Sequence, residues 1–291
     1  MTIITKKVSE CSINHLVDVW NEGFQDYFVP TKLNADQMIK RMGMLELSPH
    51  YSFIAYHNDK PVGVILNGIR TMKNGKKVSW NGGTAVIPEY RSKGVGKLLV
   101  EQSLQSYKQE SVDIATLEAL SQNSRAIRLY EKMGYKTVDE LHFYEKKEGN
   151  FIQLSGRKAG HYYAEITIAE DIGGIDFYPK DILPWQNDYR ALVGGEALLI
   201  FENDHLAGYL LFKRRMDDLH KTKEIMIFQC EVRTSQKQDV IQFGLQYLQE
   251  KFNEAAIKTF NIPSSKDYAI KTFENAGFSL FLKQVFMVRE M

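Results

Sequence analysis

Residues 84–99 read Thr-Ala-Val-Ile-Pro-Glu-Tyr-Arg-Ser-Lys-Gly-Val-Gly-Lys-Leu-Leu. The first four have the composition of a strand end, and Pro88 ends that strand because proline has no amide hydrogen for the ladder. Val95, Leu98 and Leu99 follow at helical spacing, which predicts an amphipathic helix. A strand that turns through glycines into a helix N-terminus presents free backbone N–H groups and the positive end of the helix dipole. The stretch therefore predicts an anion site, above all one for a pyrophosphate.

The bulk composition is that of a globular protein large enough for two domains. The chain has 291 residues, of which 44% are hydrophobic and 25% charged. Such a length allows two domains that each bury their own core. The formal net charge is +1, so composition gives no indication of a nucleic-acid-binding or membrane-binding protein.

The cysteines, histidines and N-terminus indicate a cytoplasmic protein without a metal site. Cys11 and Cys230 are far apart and form neither a disulfide framework nor a CxxC pair. The seven histidines show no metal-ligand spacing. The first residues lack the apolar run of a signal peptide, and no apolar stretch is long enough to span a bilayer.

The first half of the chain has the pattern of an α/β domain. Ser12 and Asn34 are predicted N-caps of two helices, and Asn74-Gly75 predicts a hairpin turn. The predicted order is helix, helix, three strands, helix, strand, helix, strand, which indicates a mixed sheet with flanking helices. The predicted strands are 53–56, 62–66, 78–87, 114–119 and 135–144; the later helices are 95–107 and one between a cap at Asn123 or Ser124 and Gly134.

Two features of this half each have two interpretations. Gly82-Gly83 inside a strand indicates either a bulge or a place where a ligand approaches the backbone. The aromatic residues 23–30 are either a hydrophobic hinge between helices or a wall of a substrate cleft. Further candidates for lining that cleft are Phe24, Tyr27 and Asn81.

Two common phosphate loops do not fit residues 84–99. A Walker loop requires Ser or Thr after Gly-Lys, and Leu98 stands there. A dinucleotide fingerprint requires a third glycine where Leu99 stands, although Glu118 lies about 20 residues on, as a ribose-binding acid would. Three antiparallel-type strands before the loop also do not suit a domain-initial βαβ unit.

Two motifs resemble those of the GNAT N-acetyltransferase superfamily. Residues 86–96 read Val-Ile-Pro-Glu-Tyr-Arg-Ser-Lys-Gly-Val-Gly, which matches the acyl-CoA pyrophosphate loop of that family. Residues 123–135 read Asn-Ser-Arg-Ala-Ile-Arg-Leu-Tyr-Glu-Lys-Met-Gly-Tyr, which matches its second signature. The resemblance covers about residues 3–147 and implies acetyl-CoA as co-substrate.

The resemblance assigns a binding role to backbone groups of the loop and of the strand before it. Loop amides would cradle the pyrophosphate, with Gly94 and Gly96 allowing close approach. Arg91 would add charge or brace the loop, and Asn123 would cap a helix and touch the cofactor arm. Strand amides would pair with the pantetheine arm, and one could polarise the thioester carbonyl. The residues so assigned are Ala85, Val86, Arg91, Ser92, Lys93, Gly94, Val95, Gly96 and Asn123.

Two residues are candidates for proton transfer. Tyr130 matches the general acid of the family, which protonates the departing CoA sulfur; the alternative is a core tyrosine of an amphipathic helix. A phenol with an ordinary pKa near 10 stays protonated at neutral pH. Glu118 is a candidate base, acting directly or through water; the alternative is a structural carboxylate, and a water wire alone would also suffice.

The second half repeats the pattern of the first. Gly208 lies 145 residues after Gly63 in a similar strand pair, and Gly277 lies 143 residues after Gly134. A nearly constant offset at two distant positions indicates tandem domains of one fold.

The second copy lacks the residues assigned to chemistry. Residues 232–239, where the phosphate loop would lie, contain no glycine. Phe273 takes the place of Tyr130 and cannot donate a proton, and Lys266 takes the place of Asn123. We therefore expect the second domain to be a scaffold or to complete the acceptor site.

The sequence thus predicts two tandem GNAT-like α/β domains, a catalytic one at 1–147 and a degenerate one at 148–291, with a linker in 145–158. The expected enzyme transfers acetyl from acetyl-CoA to a small-molecule amine by direct attack in a ternary complex. No nucleic acid, membrane or metal is expected, and a homodimer is left open. The rivals are an acyl-CoA-binding sensor without turnover and a nucleotide-dependent oxidoreductase.

Overall fold

The structure is a computed structural model that describes residues 2–25, 31–146, 162–180 and 182–291. The chain divides into two units, residues 1–138 with 286–291 and residues 139–285. The division differs from the predicted boundary at residue 147. Most of the predicted linker, 145–158, lies outside the described residues.

The end of the chain belongs to the N-terminal unit. Met291 donates its backbone N–H to the carbonyl of Asp113 over 3.0 Å. The guanidinium of Arg289 donates to the carbonyl of Met133. The N-terminal unit is therefore not one continuous segment of sequence, which no local pattern could reveal.

The elements of the N-terminal unit follow the predicted order after one additional strand. That strand, β1, was not predicted because its five residues, Ile3–Lys7, carry only a short alternation of apolar and polar side chains. The elements are β1 (Ile3–Lys7), α1 (Ile13–Gly23), α2 (Ala35–Met44), β2 (Phe53–His57), β3 (Lys60–Thr71), β4 (Lys77–Val86), α3 (Val95–Gln109), β5 (Ile114–Leu120), α4 (Ser124–Lys132) and the start of β6 (Lys136–Glu145).

Local sequence fixes the ends of these helices. The Ser12 hydroxyl accepts a hydrogen bond from the Asn14 amide at 3.2 Å, and Asn34 forms a capping box with Gln37. Gly134 follows α4 with φ of +83°, the left-handed conformation that ends helices. The cap predictions at Ser12 and Asn34 and the helix end at Gly134 are confirmed.

The β3–β4 hairpin carries the bulge that the paired glycines indicate. Leu66 pairs with Gly83 and Asn67 with Asn81, so Gly82 is the extra residue. An added Cβ at Gly82 would lie 2.6 Å from the ring of Trp80, and one at Gly83 would lie 2.7 Å from the ring of Trp20. The glycines therefore make room for two indole rings beside a bulge.

Strands β4 and β5 form a fork. They pair in parallel from Val78 and Ile114 to Asn81 and Leu117, where the ladder ends. Beyond that point, residues 82–86 and 118–120 form the two arms, with β3 still paired to the β4 arm. Backbone groups on the inner side of the β4 arm are therefore not used by β5.

Helices lie on both faces of this sheet. An added Cβ at Gly23 of α1 would lie 2.7 Å from the Cβ of Ala85, so α1 packs directly on β4. An added Cβ at Gly63 of β3 would lie 2.8 Å from Val95 and 3.0 Å from Leu99 of α3. Gly63 pairs with the residue after Ala85. Because successive strand residues point to opposite faces, α1 and α3 lie on opposite faces of the sheet.

The C-terminal unit repeats the hairpin-and-fork arrangement. Its described elements are the rest of β6, then β7 (Tyr162–Ile168), β8 (Glu196–Glu202), β9 (His205–Met216), β10 (Thr222–Val232), α5 (Lys237–Lys251), β11 (Ala256–Thr259), β12 (Ile262–Pro263), α6 (Asp267–Asn275) and β13 (Ser279–Glu290), whose last residues belong to the N-terminal unit. Short 3₁₀ turns within residues 169–191 stand where the first unit has α1 and α2.

The strand registers give the correspondence between the units residue by residue. The β9–β10 bulge falls at Phe228, 146 residues after the bulge at Gly82. The β10–β11 ladder ends with Ile227 paired to Thr259, as the β4–β5 ladder ends with Asn81 paired to Leu117. The same irregularity and the same ladder end thus recur in both units.

None of the helices in the described part of the chain combines the length and apolarity needed to cross a bilayer.

Candidate active site

The loop before α3 presents a row of backbone amides. Gly94 is the N-cap of α3 and has φ of +86°, and Ser92 also has a positive φ, of +63°. Within the described residues, no acceptor is recorded for the amides of Ser92, Gly94, Val95, Gly96 and Lys97. The first amides of a helix have no partner inside the helix and lie at the positive end of its dipole. Residues 92–97 therefore form a cradle suited to an anion.

Arg91 braces this cradle. Its Nε donates to the carbonyl of Val86 at 3.1 Å, and its Nη2 donates to the carbonyl of Gly23 at 3.0 Å. These two bonds tie the loop to the end of β4 and to the C-terminus of α1. The sequence predicted that Arg91 adds charge or braces the loop. The contacts needed for bracing are present, and they hold the positive charge next to the cradle.

The helix that carries Tyr130 packs beside the cradle. An added Cβ at Gly96 would lie 3.4 Å from Leu129, the residue before Tyr130. Asn123 caps this helix, since its Oδ1 accepts from the Ala126 amide at 3.2 Å. Glycine at position 96 thus allows the starts of α3 and α4 to approach each other.

The register of β3 and β4 separates the two strand amides assigned to the cofactor arm. Ile87 donates its N–H to the carbonyl of Val62 at 3.1 Å. Because bonding alternates along an antiparallel strand, Ala85 also bonds toward β3, whereas Thr84 and Val86 point their amides into the fork. The prediction for Val86 fits this geometry. The side chain of Ala85 packs against α1. The amide of Thr84 has the direction that the sequence analysis expected for the amide of Ala85.

The hydroxyl of Tyr130 lies at the fork in a defined hydrogen-bond network. The Oδ1 of Asn81 accepts from the Gly83 amide and from the Thr84 hydroxyl, both at 3.1 Å. This fixes the amide orientation of Asn81, because a backbone N–H must meet the oxygen. The Nδ2 of Asn81 then donates to the Tyr130 hydroxyl at 3.3 Å. The phenol accepts this bond and keeps its own hydrogen for donation.

Burial keeps Tyr130 protonated. Its side chain is 6% exposed. Burial raises the pKa of Tyr130 above its ordinary value, and this outweighs the opposing influence of the neighbouring Thr84 and Asn81 side chains, which lower it. The phenol is therefore neutral, and able to donate, throughout the physiological pH range.

Glu118 stands on the β5 arm of the same fork and is bound to an indole. The Nε1 of Trp80 donates to Glu118 Oε2 at 2.6 Å, and Trp80 is 2% exposed. This contact gives the carboxylate a structural role, the alternative raised by the sequence. Its half-buried position at the fork leaves the role of base as a proposal.

An aromatic and cationic wall occupies the α1 and α2 side of the sheet. The rings of Trp20 and Phe24 lie 4.5 Å apart, and the Trp20 Nε1 donates to the carbonyl of Thr31 at 2.9 Å. The Arg41 guanidinium lies 5.3 Å from the Trp20 ring. Tyr27, the remaining cleft candidate, is outside the described residues.

The family model for "Acetyltransferase (GNAT) family" matches residues 13–135, which contain the cradle, the fork and Tyr130. The N-terminal unit of this chain belongs to the GNAT acetyltransferase family. The motif resemblance noted in the sequence is thus confirmed for this part of the chain.

The GNAT unit is similar in sequence to enzymes named N-alpha-acetyltransferases. N-alpha-acetyltransferase 30 of Saccharomyces cerevisiae is 31% identical over 111 residues, which are 36% of this chain and 63% of that protein. The N-alpha-acetyltransferase of Sulfurisphaera tokodaii is 29% identical over 149 residues, 42% of this chain and 87% of that protein. The chain thus spans less than two thirds of the length of the yeast relative.

Solved structures of acetyltransferase-type proteins resemble the whole chain in fold. A tandem GNAT protein from the clavulanic acid biosynthesis pathway has a TM-score of 0.64 at 12% identity, and covers 99% of this chain and 98% of its own. A GCN5-related N-acetyltransferase from Sphaerobacter thermophilus has a TM-score of 0.67 at 12% identity, with 99% and 95% covered. The mixed α/β fold predicted for both halves is confirmed.

The corresponding fork of the C-terminal unit holds different side chains. By register, Ile227 takes the place of Asn81, and Phe260 that of Glu118. The Asn187 Nδ2 donates to the carbonyl of Phe228 on one arm at 2.5 Å and to that of Phe260 on the other at 3.1 Å. One amide thus bridges the two arms of this fork.

An ion pair lies at the end of this second fork. The Lys266 ammonium binds the Glu231 carboxylate, and Glu231 stands where the first unit has Ala85. Arg233, in the segment that replaces the cradle, pairs with Asp176 at 3.0 Å. These contacts could not be read from sequence, which showed only that the glycines and the tyrosine were missing.

Proposed function

We propose that the N-terminal GNAT unit is an N-acetyltransferase that moves an acetyl group from acetyl-CoA to an amine. The observation that carries the proposal is the meeting, at one fork, of a free amide cradle and a buried protonated phenol. A binding module would need the cradle but would have no use for a phenol held by Asn81. The C-terminal unit, with neither feature, is proposed as the non-catalytic partner domain.

The cradle residues fit a pyrophosphate. The loop of residues 92–97 is largely exposed and offers five amide donors for which the described residues provide no acceptor. The braced guanidinium of Arg91 adds positive charge beside them. The amides of Thr84 and Val86 would receive the extended arm of the cofactor as an added strand. Acetyl-CoA would supply an acetyl group activated as a thioester.

Tyr130 is the proposed general acid. When the amine attacks the carbonyl carbon, the carbon–sulfur bond breaks and the sulfur needs a proton. The Tyr130 hydroxyl keeps its own hydrogen for donation, because it accepts from Asn81. Its raised pKa ensures that the proton is present at neutral pH.

The amine is proposed to enter from the α1 and α2 side. The cradle lies at the start of α3 on the opposite face, so the fork is the passage between the two faces. The amine loses a proton during attack, and Glu118, at the fork, is positioned to take it through a water. Glu118→Gln should lower kcat without changing the KM for acetyl-CoA; an unchanged kcat would remove this role.

The transfer is proposed to be direct. Cys11 donates its thiol to the carbonyl of Lys7 on β1, and Cys230 is buried in the C-terminal unit. These are the two cysteines of the sequence, so neither stands at the fork as an acyl carrier. A ternary complex of protein, acetyl-CoA and amine is therefore the proposed reacting species.

The acceptor is proposed to be an α-amino group. This rests on the names of the relatives, which are N-alpha-acetyltransferases, and on the sequence-based expectation of a small amine. Both an amino acid and a peptide N-terminus present this group. We keep the expected cytoplasmic location as part of the proposal.

The decisive experiment is thiol release from acetyl-CoA by the full-length protein with a panel of amines, peptides and amino acids, followed by mass spectrometry of the acceptor. The expected result is CoA release matched by a 42-dalton gain on one class of amine, about the mass of an acetyl group in place of a hydrogen. Binding of acetyl-CoA without release for any amine would instead support a sensor.

A further inference from the structure

Arg41 of α2 is a half-buried cation without a carboxylate partner in the described residues. Its Nη2 donates to the neutral carbonyl of Gly82 at 3.1 Å. Its Nε is buried and has no hydrogen-bond partner. Burial alone lowers the pKa of Arg41, with no charged neighbour contributing to the shift. The remaining nitrogen, Nη1, is not among the buried atoms lacking a partner, so it is accessible.

Three other half-buried or buried arginines of the chain have carboxylate partners. Arg70 binds Glu46 at 3.0 Å, and Arg190 binds Asp188 at 2.7 Å. Arg214 binds Glu196 at 2.5 Å. A buried guanidinium needs such a partner because the loss of its hydration costs several kcal/mol. Arg41, in contrast to these three, has the neutral carbonyl of Gly82 as its partner.

Arg41 lies beside the fork, on the side where the amine is proposed to enter. Its carbonyl partner belongs to Gly82, the residue after Asn81, whose amide holds the Tyr130 hydroxyl. The Trp20 ring covers the Arg41 guanidinium at 5.3 Å and keeps its surroundings poor in water.

We infer that Arg41 binds a carboxylate of the acceptor, so that the substrates are amines that also carry a carboxylate. The inference rests on the proposed acetyl transfer and names the substrate class for that same site. Nη1 is the nitrogen that remains accessible and has no acceptor in the described residues. A carboxylate oxygen at Nη1 would supply the missing counter-charge through a charge-assisted hydrogen bond.

The carboxylate has two chemical sources, which the test separates. A free amino acid carries it on the α-carbon, and a peptide carries it on an acidic side chain near its N-terminus. The panel therefore pairs each acceptor with its neutral counterpart: an amino acid with its carboxamide, and a tetrapeptide that has Asp at the second position with one that has Asn there. The full-length protein and acetyl-CoA are used throughout.

In the wild type, kcat/KM for the acid member of at least one pair should exceed that of the neutral member by about tenfold, the size of a charge-assisted hydrogen bond. In Arg41→Gln this ratio should fall to near 1, through a higher KM for the acid member and little change for the neutral one. Arg41→Lys should retain part of the preference, since it keeps the charge but loses the planar fork.

Lys40→Gln is the matched control, because Lys40 is the exposed neighbour of Arg41 on the same helix. It should leave every ratio unchanged. If Arg41→Gln does not fold, the wild-type ratios alone decide the matter. Equal use of acid and neutral members by the wild type, or a preference that Arg41→Gln retains, would overturn the assignment and leave acetyl transfer intact. Absence of CoA release with every amine would overturn both.

Discussion

The two forks of this chain have the same arrangement of strands, but they hold different side chains. Each has a hairpin with a bulge at the corresponding residue, Gly82 or Phe228, and a parallel ladder that ends at the corresponding pair. The first fork holds a polar network that ends at the Tyr130 hydroxyl. In the second fork, Phe273 stands at the position that corresponds to Tyr130, and it is fully buried. The fold therefore depends on registers and turns, while the chemistry depends on a few side chains added to it.

The second fork shows how the same space is closed when no ligand has to enter. Asn187 donates to carbonyls on both arms, and Lys266 pairs with Glu231 at their end. These contacts satisfy groups that a cofactor arm would otherwise use. An open fork requires backbone amides without protein partners, and such groups are costly unless water or a ligand meets them. The comparison explains why polar contacts accumulate in the copy that lacks the cradle.

Removal of the phenol should have the largest effect. Tyr130→Phe gives the first fork the residue found in the second, and kcat should fall by about 10² or more, the usual contribution of general acid catalysis. Affinity for acetyl-CoA, measured by calorimetry, should stay nearly constant, because the cradle is untouched. In the wild type, the raised pKa of Tyr130 means that its deprotonation causes no loss of rate below about pH 10.

Tyr135→Phe is the control for this variant. Its ring lies 6.0 Å from that of Tyr130 and is also buried, so the change removes a nearby hydroxyl of the same kind. Turnover should change by less than about threefold, since this hydroxyl has no place in the proposed network. A Tyr130→Phe enzyme as fast as wild type would remove the acid from the proposal, and a Tyr135→Phe enzyme as slow as Tyr130→Phe would assign the loss to packing.

Exchange of the residue that orients the phenol should have the second-largest effect. Asn81→Ile copies Ile227 and removes the donor to Tyr130 as well as the acceptor for the Gly83 amide. We expect kcat to fall about tenfold and the free energy of unfolding to fall by about 1–3 kcal/mol, the cost of an unsatisfied buried amide. Asn81→Asp keeps the acceptor and loses the donor, so it should lose rate with less loss of stability. Equal rates for wild type and both variants would contradict the orienting role.

The sequence predicted what local patterns encode. The capping residues Ser12 and Asn34, the hairpin turn at Asn74-Gly75 and the bulge at Gly82-Gly83 each follow from short-range preferences, and the structure has them all. Strand β1 was missed because Ile3–Lys7 gives too few alternating positions for a clear period.

Contacts between residues far apart in the chain could not be predicted from the sequence. The network of Asn81 with Tyr130 joins residues 49 apart in the chain, and the contact of Trp80 with Glu118 joins residues 38 apart. Which strand amides point into the fork depends on register, so the sequence could not show that the amide of Thr84, and not that of Ala85, points there. The motif could place a tyrosine and a loop, but it could not show Arg41 next to the bulge carbonyl.

A change at the cradle should have a smaller effect, confined to affinity. Gly94→Ala places a side chain at φ of +86°, which costs about 1 kcal/mol although no atom lies within 4 Å of the new Cβ. If the loop relaxes, its amides turn away from the anion, and the Kd for acetyl-CoA should rise about fivefold. The kcat at saturation should stay constant. Calorimetry with acetyl-CoA measures the shift.

Gly75→Ala tests whether strain alone explains the result. Gly75 has φ of +83° and also has no atom within 4 Å of an added Cβ, but it lies in the hairpin turn. This variant should lose similar stability and keep the wild-type Kd. A similar rise of Kd in both variants would mean that the cradle geometry does not depend on Gly94.

The smallest effect on turnover is expected in the second fork, where changes should act on stability alone. Lys266→Met leaves Glu231 buried without its partner and should lower the free energy of unfolding by about 2 kcal/mol, below the cost for fully buried pairs because the two side chains remain 22% and 12% exposed. Burial lowers the pKa of Lys266 to about 8, so the pair does not fully offset the cost of burying the ammonium. The double variant Lys266→Met, Glu231→Leu should therefore equal or exceed the wild type in stability.

The pH dependence of the stability difference between the wild type and the double variant is an independent test. Between about pH 8 and 10, the unfolded state of the wild type binds more protons than the native state, because the native pKa of Lys266 is the lower one. The stability of the wild type relative to the double variant should therefore rise with pH in this window. Denaturant titrations at pH 7 and pH 9.5 measure it, with thiol release at pH 7 as the companion assay. A large loss of turnover in the double variant would show that the second fork contributes to the reaction, and would end the division of roles between the two units.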